Sequence, residues 1–504
     1  MDYPFWDTAV GYGPLMAAIA VVHVFIAHFA IGGGLYLVVT EQRARRRGDT
    51  GWLEYLKGLS RFFVLTTLVL GALTGVGIWF VIGLLSPTAT GLLIHNFVWA
   101  WAIEWTFFAV EIAAALVYYY GWKRMAARDH LIVGWIYFGA AWLSLVVITG
   151  ILSFMLTPGG WLESGSFWAG FLNPSYWPSV VLRTGICVLL AGIYALLVAA
   201  RRAPSAERTR IVRYNAGWSL SGLALTLPSF AWFFASLPAA TREAARERMP
   251  WTMQWFSAFG WLALLLAIAV VLFGLLFARR FHLAAAALLM ALAFAWFGAF
   301  EFLRESIRKP WIVHGFLYGN GIEAAQVPDL RQTGLLPAMA YRTGDDGRDL
   351  LNHSCRSCHT VGGYNGLKAS FDGTDAAFAA GMIRGVHVMR GNMPPFAGSP
   401  EEVELLAAEI AAFADPRPLA EVHGLAGEAL GARSYAVRCG SCHVVGGYND
   451  KIPSLAGLGV AELEEFLDGA GDLTEEMPPF TGDEAERAAL AAFLHTATTR
   501  GDQG

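Results

Sequence analysis

Charge is scarce in this chain: only 15% of its 504 residues are Asp, Glu, Lys or Arg, and mean hydropathy is +0.46. That balance excludes a soluble globular protein of this size. Cysteine is scarcer, with five in all, and one of these, Cys187, lies in an apolar helical stretch and reads as a packing residue. The N-terminus lacks a basic n-region, and its first apolar run is too long and too interrupted by polar residues for a cleavable signal peptide, so none is expected. Nothing resembles a nucleotide-binding loop, a protease triad or a basic nucleic-acid face, and no nucleic acid is expected as a partner.

The other four cysteines form two motifs, Cys355-Arg-Ser-Cys358-His359 and Cys439-Gly-Ser-Cys442-His443. Each is followed by Val-Gly-Gly-Tyr-Asn and later by Met-Pro-Pro-Phe, and the copies are offset by 84 residues at every landmark: His359 and His443, Tyr364 and Tyr448, Met393 and Met477. In C-x-x-C-H the two thiols form thioethers to porphyrin vinyl groups and the imidazole binds iron. The methionine 34 residues after each histidine suits the sixth ligand, since a thioether favours reduced iron and raises the potential. For the first lobe His387 and Met389 are the neighbouring alternatives. A redox or zinc C-x-x-C pair would require a βαβ context or further Cys and His ligands, and neither is present. The expectation is two covalent haems c, which are attached outside the cytoplasmic membrane.

Charge divides the chain in two. Residues 341–504 hold 12 Lys+Arg against 24 Asp+Glu, and residues 1–340 hold 24 against 16, so an acidic haem region follows a basic membrane region. Eight apolar stretches are long enough to span a bilayer, near 12–40, 59–85, 95–120, 131–156, 178–200, 214–236, 252–278 and 282–305. Basic clusters follow the first, third, fifth and seventh: Arg43 to Lys57, Lys123 to Arg128, Arg201 to Arg213, and Arg279 with Arg280. Positive loops stay in the cytoplasm, so both termini are expected outside, where haem c is attached. The expected fold is all-α: a polytopic helix bundle over 1–311, a Gly/Pro-containing linker over 312–340, and two small cytochrome c-like lobes over 341–420 and 421–504. Each lobe has a helix leading into its motif and an amphipathic helix near its end, 400–414 and 483–496.

Ionisable groups inside a span are costly and usually functional. His23 and His28 lie in the first span, Glu104 and Glu111 in the third, Glu301 and Glu305 at the end of the eighth, and His95 where the third begins. On the topology above, His23, His95, Glu104 and Glu305 share the outer half of the bilayer, as haem b irons would require. His28 and Glu111 lie deeper, on a possible proton route. The plain alternative for each is an interhelical hydrogen bond, and His282, beside Arg279 and Arg280, reads as an interfacial residue.

These residues carry a family resemblance over about 1–311. The run Ala20-Val-Val-His23 through His28 to Gly33 resembles the first helix of subunit I of cytochrome bd oxidases, as does Gly71-Ala-Leu-Thr-Gly-Val-Gly-Ile-Trp-Phe80. Ala102-Ile-Glu104-Trp through Glu111 to Gly121-Trp122-Lys-Arg is similar to that family's third helix, and Glu305-Ser-Ile-Arg308-Lys-Pro310-Trp311 to its Glu-x-x-Arg-Gln-Pro-Trp signature. The resemblance implies a pair of membrane haems, both b or one b and one d, with His23 and Glu305 as iron ligands, Glu104 beside the pair and Glu111 in proton delivery. It also implies a second, related membrane subunit. Two departures stand out. Quinol-oxidising members carry a third haem b on a fifth-helix histidine and a later methionine; Arg183 and Phe256 stand where those would be, with Met253 close by, and the large quinol-binding loop is missing. The haem c lobes read as the replacement port, as in the divergent branch that carries haem c. Two functions follow: a terminal reductase taking oxygen to water with electrons from a periplasmic donor, or a relay without chemistry of its own, in which His28 and His95 close the irons.

Overall fold

The computed structural model describes residues 4–8, 10–243, 245–246, 250–474 and 476–501. Eight of its helices are long and apolar enough to cross a membrane: α1 (Tyr12–Arg47), α2 (Thr50–Leu85), α3 (Val98–Gly121), α4 (Ala127–Phe154), α5 (Tyr176–Ala199), α6 (Ala206–Ala235), α7 (Thr252–Leu276) and α8 (Leu283–Arg308). Their ends fall where sequence chemistry stops a helix. Gly48 closes α1 in the left-handed conformation, Asp49 accepts from the Trp52 N–H at the start of α2, Ser205 caps α6, and His282 caps α8 by accepting from the Ala285 N–H. His282 is therefore a capping residue.

α5 is the axis of the bundle. In its most apolar window 78% of residues are buried, against 11% for α2 and 17% for α3, which leave most of their apolar surface uncovered by this chain. Small residues let the helix backbones meet around α5. A Cβ on Gly32 of α1 would lie 1.8 Å from the Cys187 carbonyl oxygen, and one on Gly222 of α6 would lie 2.1 Å from the Leu189 nitrogen. Cys187 is itself buried, as a packing residue should be.

The basic loops gather at one end. Arg210 lies 3.8 Å from Asp49, Arg202 bonds Glu207, and Arg213 donates to the Leu275 carbonyl. Just inside that end Glu41 is fully buried and accepts from Tyr118 at 2.6 Å, Arg45 at 2.6 Å and His130 at 2.8 Å. The other ring nitrogen of His130 donates to the Tyr118 carbonyl at 2.9 Å. A carboxylate that deep needs this full set of partners.

The opposite end carries the lobes. The segment expected as a linker is folded. β1 (Trp311–Val313) and β2 (Leu317–Tyr318) form an antiparallel ribbon, with Val313 and Leu317 buried against Phe97, Phe154 and Tyr176 of the bundle. Residues 322–339 belong to lobe 1: Ile322, Val327, Leu335 and Leu336 enter its core, and the Leu335 and Leu336 N–H groups donate to Glu402 at 2.7 Å. Lobe 1 is built on α9 (Asp346–Ser354), α10 (Ala376–Arg384) and α11 (Pro400–Phe413), lobe 2 on α12 (Gly427–Arg438), α13 (Val460–Asp468) and α14 (Glu484–Gly501). α11 shows why the boundary is sharp: Ser399 and Glu402 form a capping box, with Pro400 at the first helical position.

The close helix approach gives an opposed pair of stability changes. Gly32→Val should destabilise the bundle by ~1–3 kcal/mol or more through overpacking. Gly217→Ala, in α6 with nothing within 4 Å of the new methyl, should stabilise it by ~0.5–1 kcal/mol. Thermal unfolding in detergent checks the two signs.

Candidate haem sites

α9 and α12 each run straight into a C-x-x-C-H motif, which continues as a tight turn. The His359 N–H donates to the Cys355 carbonyl at 3.0 Å, and the His443 N–H to the Cys439 carbonyl at 2.8 Å. Both imidazoles are set in the same way: Nδ1 of His359 donates to the Asn365 carbonyl and Nδ1 of His443 to the Asn449 carbonyl, each at 3.0 Å. With Nδ1 protonated, Nε2 presents a lone pair, the state an iron ligand must have. Asn365 and Asn449 reach those bonds at φ 51° and 50°, a left-handed conformation that asparagine tolerates.

The four cysteines are free and lie beside their histidines in sequence order for thioether attachment. Burial, then the neighbouring Cys358, pushes the Cys355 thiol up to about 12; burial does the same for Cys439. Two cysteines in one turn with an imidazole that presents Nε2 fit a covalently attached haem in each lobe. Met393 is partly buried against the lobe 1 core and Met477 is partly buried in the matching loop of lobe 2. Of the alternatives to Met393, Met389 is buried in the core. His387 is half-buried, with Nδ1 unbonded.

In the bundle, two histidines of α1 are set in the same tautomer. Thr74 Oγ1 uses its one proton on the Leu70 carbonyl at 2.7 Å, so the 3.1 Å contact with His23 must be His23 Nδ1 donating to Thr74. His28 Nδ1 donates to the Val24 carbonyl at 2.7 Å, and its Nε2 is buried with no partner. Both present Nε2 for a ligand, which is what a membrane haem needs. Glu104 on α3 accepts from Ser144 of α4 at 3.1 Å, and Glu111, two turns on, faces the same serine. His95 is exposed, on a short helix Pro87–Asn96 that Phe97 separates from α3, so it does not begin the span as the sequence suggested.

Glu305 ends α8 as the partner of two cations. Its carboxylate accepts from Arg308 at 2.7 Å and lies 3.2 Å from Lys309. Arg308 also donates to the Trp311 carbonyl at 3.0 Å, and the Trp311 ring stacks on Tyr318 at 4.1 Å. Glu305 is thus brought to the lobes, with no direct contact to His23 or Glu104 among the described residues.

One cluster was missed from sequence. Arg183 lies 3.8 Å from Glu301, which bonds Arg304 at 2.9 Å, and His28 stands beside both Arg183 and Glu301. The signal was available: a lone arginine in an apolar helix, and Glu301-x-x-Arg304 at one-turn spacing. Arg183 is therefore committed to an ion pair, Phe256 packs on Phe230 and Phe234, and Met253 is exposed.

Comparisons with known proteins agree with this division. Residues 15–233 match the family model for cytochrome bd terminal oxidase subunit I, and residues 342–408 and 426–494 match that for cytochrome c oxidase, cbb3-type, subunit III. Among solved structures, the bd oxidase from Geobacillus thermodenitrificans is similar at 17% identity and a TM-score of 0.53, covering 60% of this chain and 88% of that one. At that identity the likeness shows the fold alone. No curated protein gives a significant match.

Replacing His23 with Ala should remove one acid-acetone-extractable haem and leave both covalent haems in place, read by pyridine haemochrome spectra before and after extraction. Asn449→Val should cost ~1–2 kcal/mol in lobe 2, where Asn449→Gly is tolerated, because only the β-branched residue is strained at φ 50°. Thermal loss of the second haem c signal distinguishes the two.

Proposed function

We propose that this chain, a membrane electron-transfer haemoprotein with a cytochrome bd subunit I domain and two cytochrome c domains, is a terminal reductase. Its lobes take electrons from a periplasmic donor in place of quinol, and oxygen is the acceptor in the bundle. One observation carries the reading: the first C-x-x-C-H loop rests on the mouth of the bundle, with Cys358 Sγ 3.8 Å from Lys309 Nζ, itself 3.2 Å from Glu305. A port for electrons should lie against the site it feeds.

Bound haem supplies one-electron iron chemistry and, with one iron position open, a place for a diatomic ligand. The residues of the chain do the rest. Thr74 and the Val24 carbonyl orient His23 and His28 toward a ligand. Glu305, held by Arg308 and Lys309, places a fixed carboxylate at the bundle mouth. Glu104 and Glu111, flanking Ser144, can hold and pass protons along α3. The basic loops gather at the far end, and positive loops stay in the cytoplasm, which supports periplasmic lobes and proton entry from the inside. The uncovered apolar faces of α2 and α3 leave room for haem, lipid and a second, related membrane subunit.

A relay without oxygen chemistry is the second reading. It is favoured by the buried, unpartnered Nε2 of His28, which could close an iron. The reduced spectrum with and without CO, together with oxygen uptake, separates the two. The reductase predicts a CO-sensitive extractable haem and uptake driven by a reduced c-type cytochrome and not by quinol. Uniformly six-coordinate haems in fully loaded protein, with no uptake, would establish the relay instead. Glu111→Gln should slow uptake about tenfold or more at unchanged haem content, as expected of a lost proton carrier.

A further inference from the structure

The two haem c motifs repeat in sequence, and they also dock in the same sense. The lobe 1 loop, 355–365, faces the bundle. Arg356 pairs with Asp7 and its guanidinium lies 5.1 Å over the Phe5 ring. A Cβ on Gly11 would stand 2.7 Å from Thr360, and one on Gly13 would stand 3.7 Å from Tyr364. The Cys358–Lys309 contact completes this seat.

The equivalent lobe 2 loop, 439–449, faces lobe 1. Arg390 donates to the Gly440 carbonyl at 2.8 Å, the Tyr448 hydroxyl donates to the Val388 carbonyl at 3.2 Å, and Cys442 packs against the lobe 1 core. The Met477 loop lies on the same face: a Cβ on Gly385 would meet the Glu476 carbonyl at 2.4 Å, and one on Gly381 would meet Pro478 at 2.7 Å. Tyr364 and Tyr448 are repeat equivalents, and each reaches back to the unit that precedes it in the chain. Arg390 breaks the repeat, since Thr474 stands at the matching position of lobe 2.

We infer that the lobes form a directed series, in which lobe 1 is the obligate middle and Arg390 positions lobe 2 upon it. This rests on the proposed entry of electrons through the lobes and adds their order. A one-electron reductant outside the membrane reduces lobe 2. Lobe 2 then gives one electron to lobe 1, and lobe 1 gives one to the bundle. At each step the donor is oxidised by one electron and the acceptor reduced by one, and no bond forms or breaks. The seat of the lobe 2 loop on lobe 1 favours transfer through lobe 1 over parallel entry. The docking loops carry the cysteines and histidines that would hold the haems, so each lobe presents its attachment loop to the unit before it.

The test uses the full-length protein in liposomes, reduced by hexaammineruthenium(II), a hydrophilic ion that reaches both lobes from outside. Met393→His keeps the lobe 1 iron six-coordinate and lowers its potential, so reduction of the extractable haem should slow about tenfold or more. Lobe 2 should still reduce at the parental rate. Parental reduction of the extractable haem in that variant would overturn the series. The double variant Met393→His/Met477→His then tells which idea has failed: slowing there leaves the lobes as the port with parallel entry, and no slowing ends the port reading too. Arg390→Ala keeps every haem ligand. It should slow equilibration between the two haem c signals several-fold with their absorption maxima unshifted, and equilibration at the parental rate would remove the positioning role of Arg390.

Discussion

The ion cluster at the end of α8 joins the halves of this molecule. Glu305 between Arg308 and Lys309 stands where the helix leaves the apolar phase, and charges there persist only when paired. Arg308 also holds the Trp311 carbonyl, which sets the turn into the β-ribbon, and Lys309 reaches the sulfur of Cys358. The ribbon is pinned to the bundle by Val313 and Leu317, and the segment after it is pinned to lobe 1 by Glu402. The ion cluster, the apolar pins of the ribbon and the Arg356–Asp7 pair together seat the first haem c motif against the membrane domain.

A second constraint recurs at four candidate histidine ligands. An imidazole can offer Nε2 to a metal only when its proton sits on Nδ1, and Nδ1 keeps that proton when it has an acceptor. Four histidines meet the condition with local acceptors: Asn365 and Asn449 carbonyls in the lobes, Val24 carbonyl and Thr74 hydroxyl in the bundle. The lobe pair are alike because the sequence is repeated. The bundle pair are solved differently, one within its own helix and one across to α2.

Much of this was legible from residue order. The eight spans follow from hydropathy, and their observed ends differ from the expected ones mainly where amphipathic turns extend α1, α2 and α6. The haem c sites follow from a motif whose chemistry is local. Tertiary partners are less visible: a lone arginine in an apolar helix signals that Arg183 needs an anion but not that Glu301 supplies it, and residue order does not pair Glu41 of α1 with His130 of α4. The ribbon at 311–318 is not legible in the sequence because strands of three and two residues carry no readable period. His95 reads as the start of α3 because residue order does not show that the backbone leaves the helical region at Phe97.

The central claim is that the bundle holds iron porphyrin against which a covalent haem is seated. Acid-acetone extraction of the purified full-length protein tests it most directly, with haem counted in the pellet and in the extract. The account predicts two haems retained with the polypeptide and at least one b- or d-type haem in the extract. Only covalent haem, from protein with both lobes fully loaded, would contradict it.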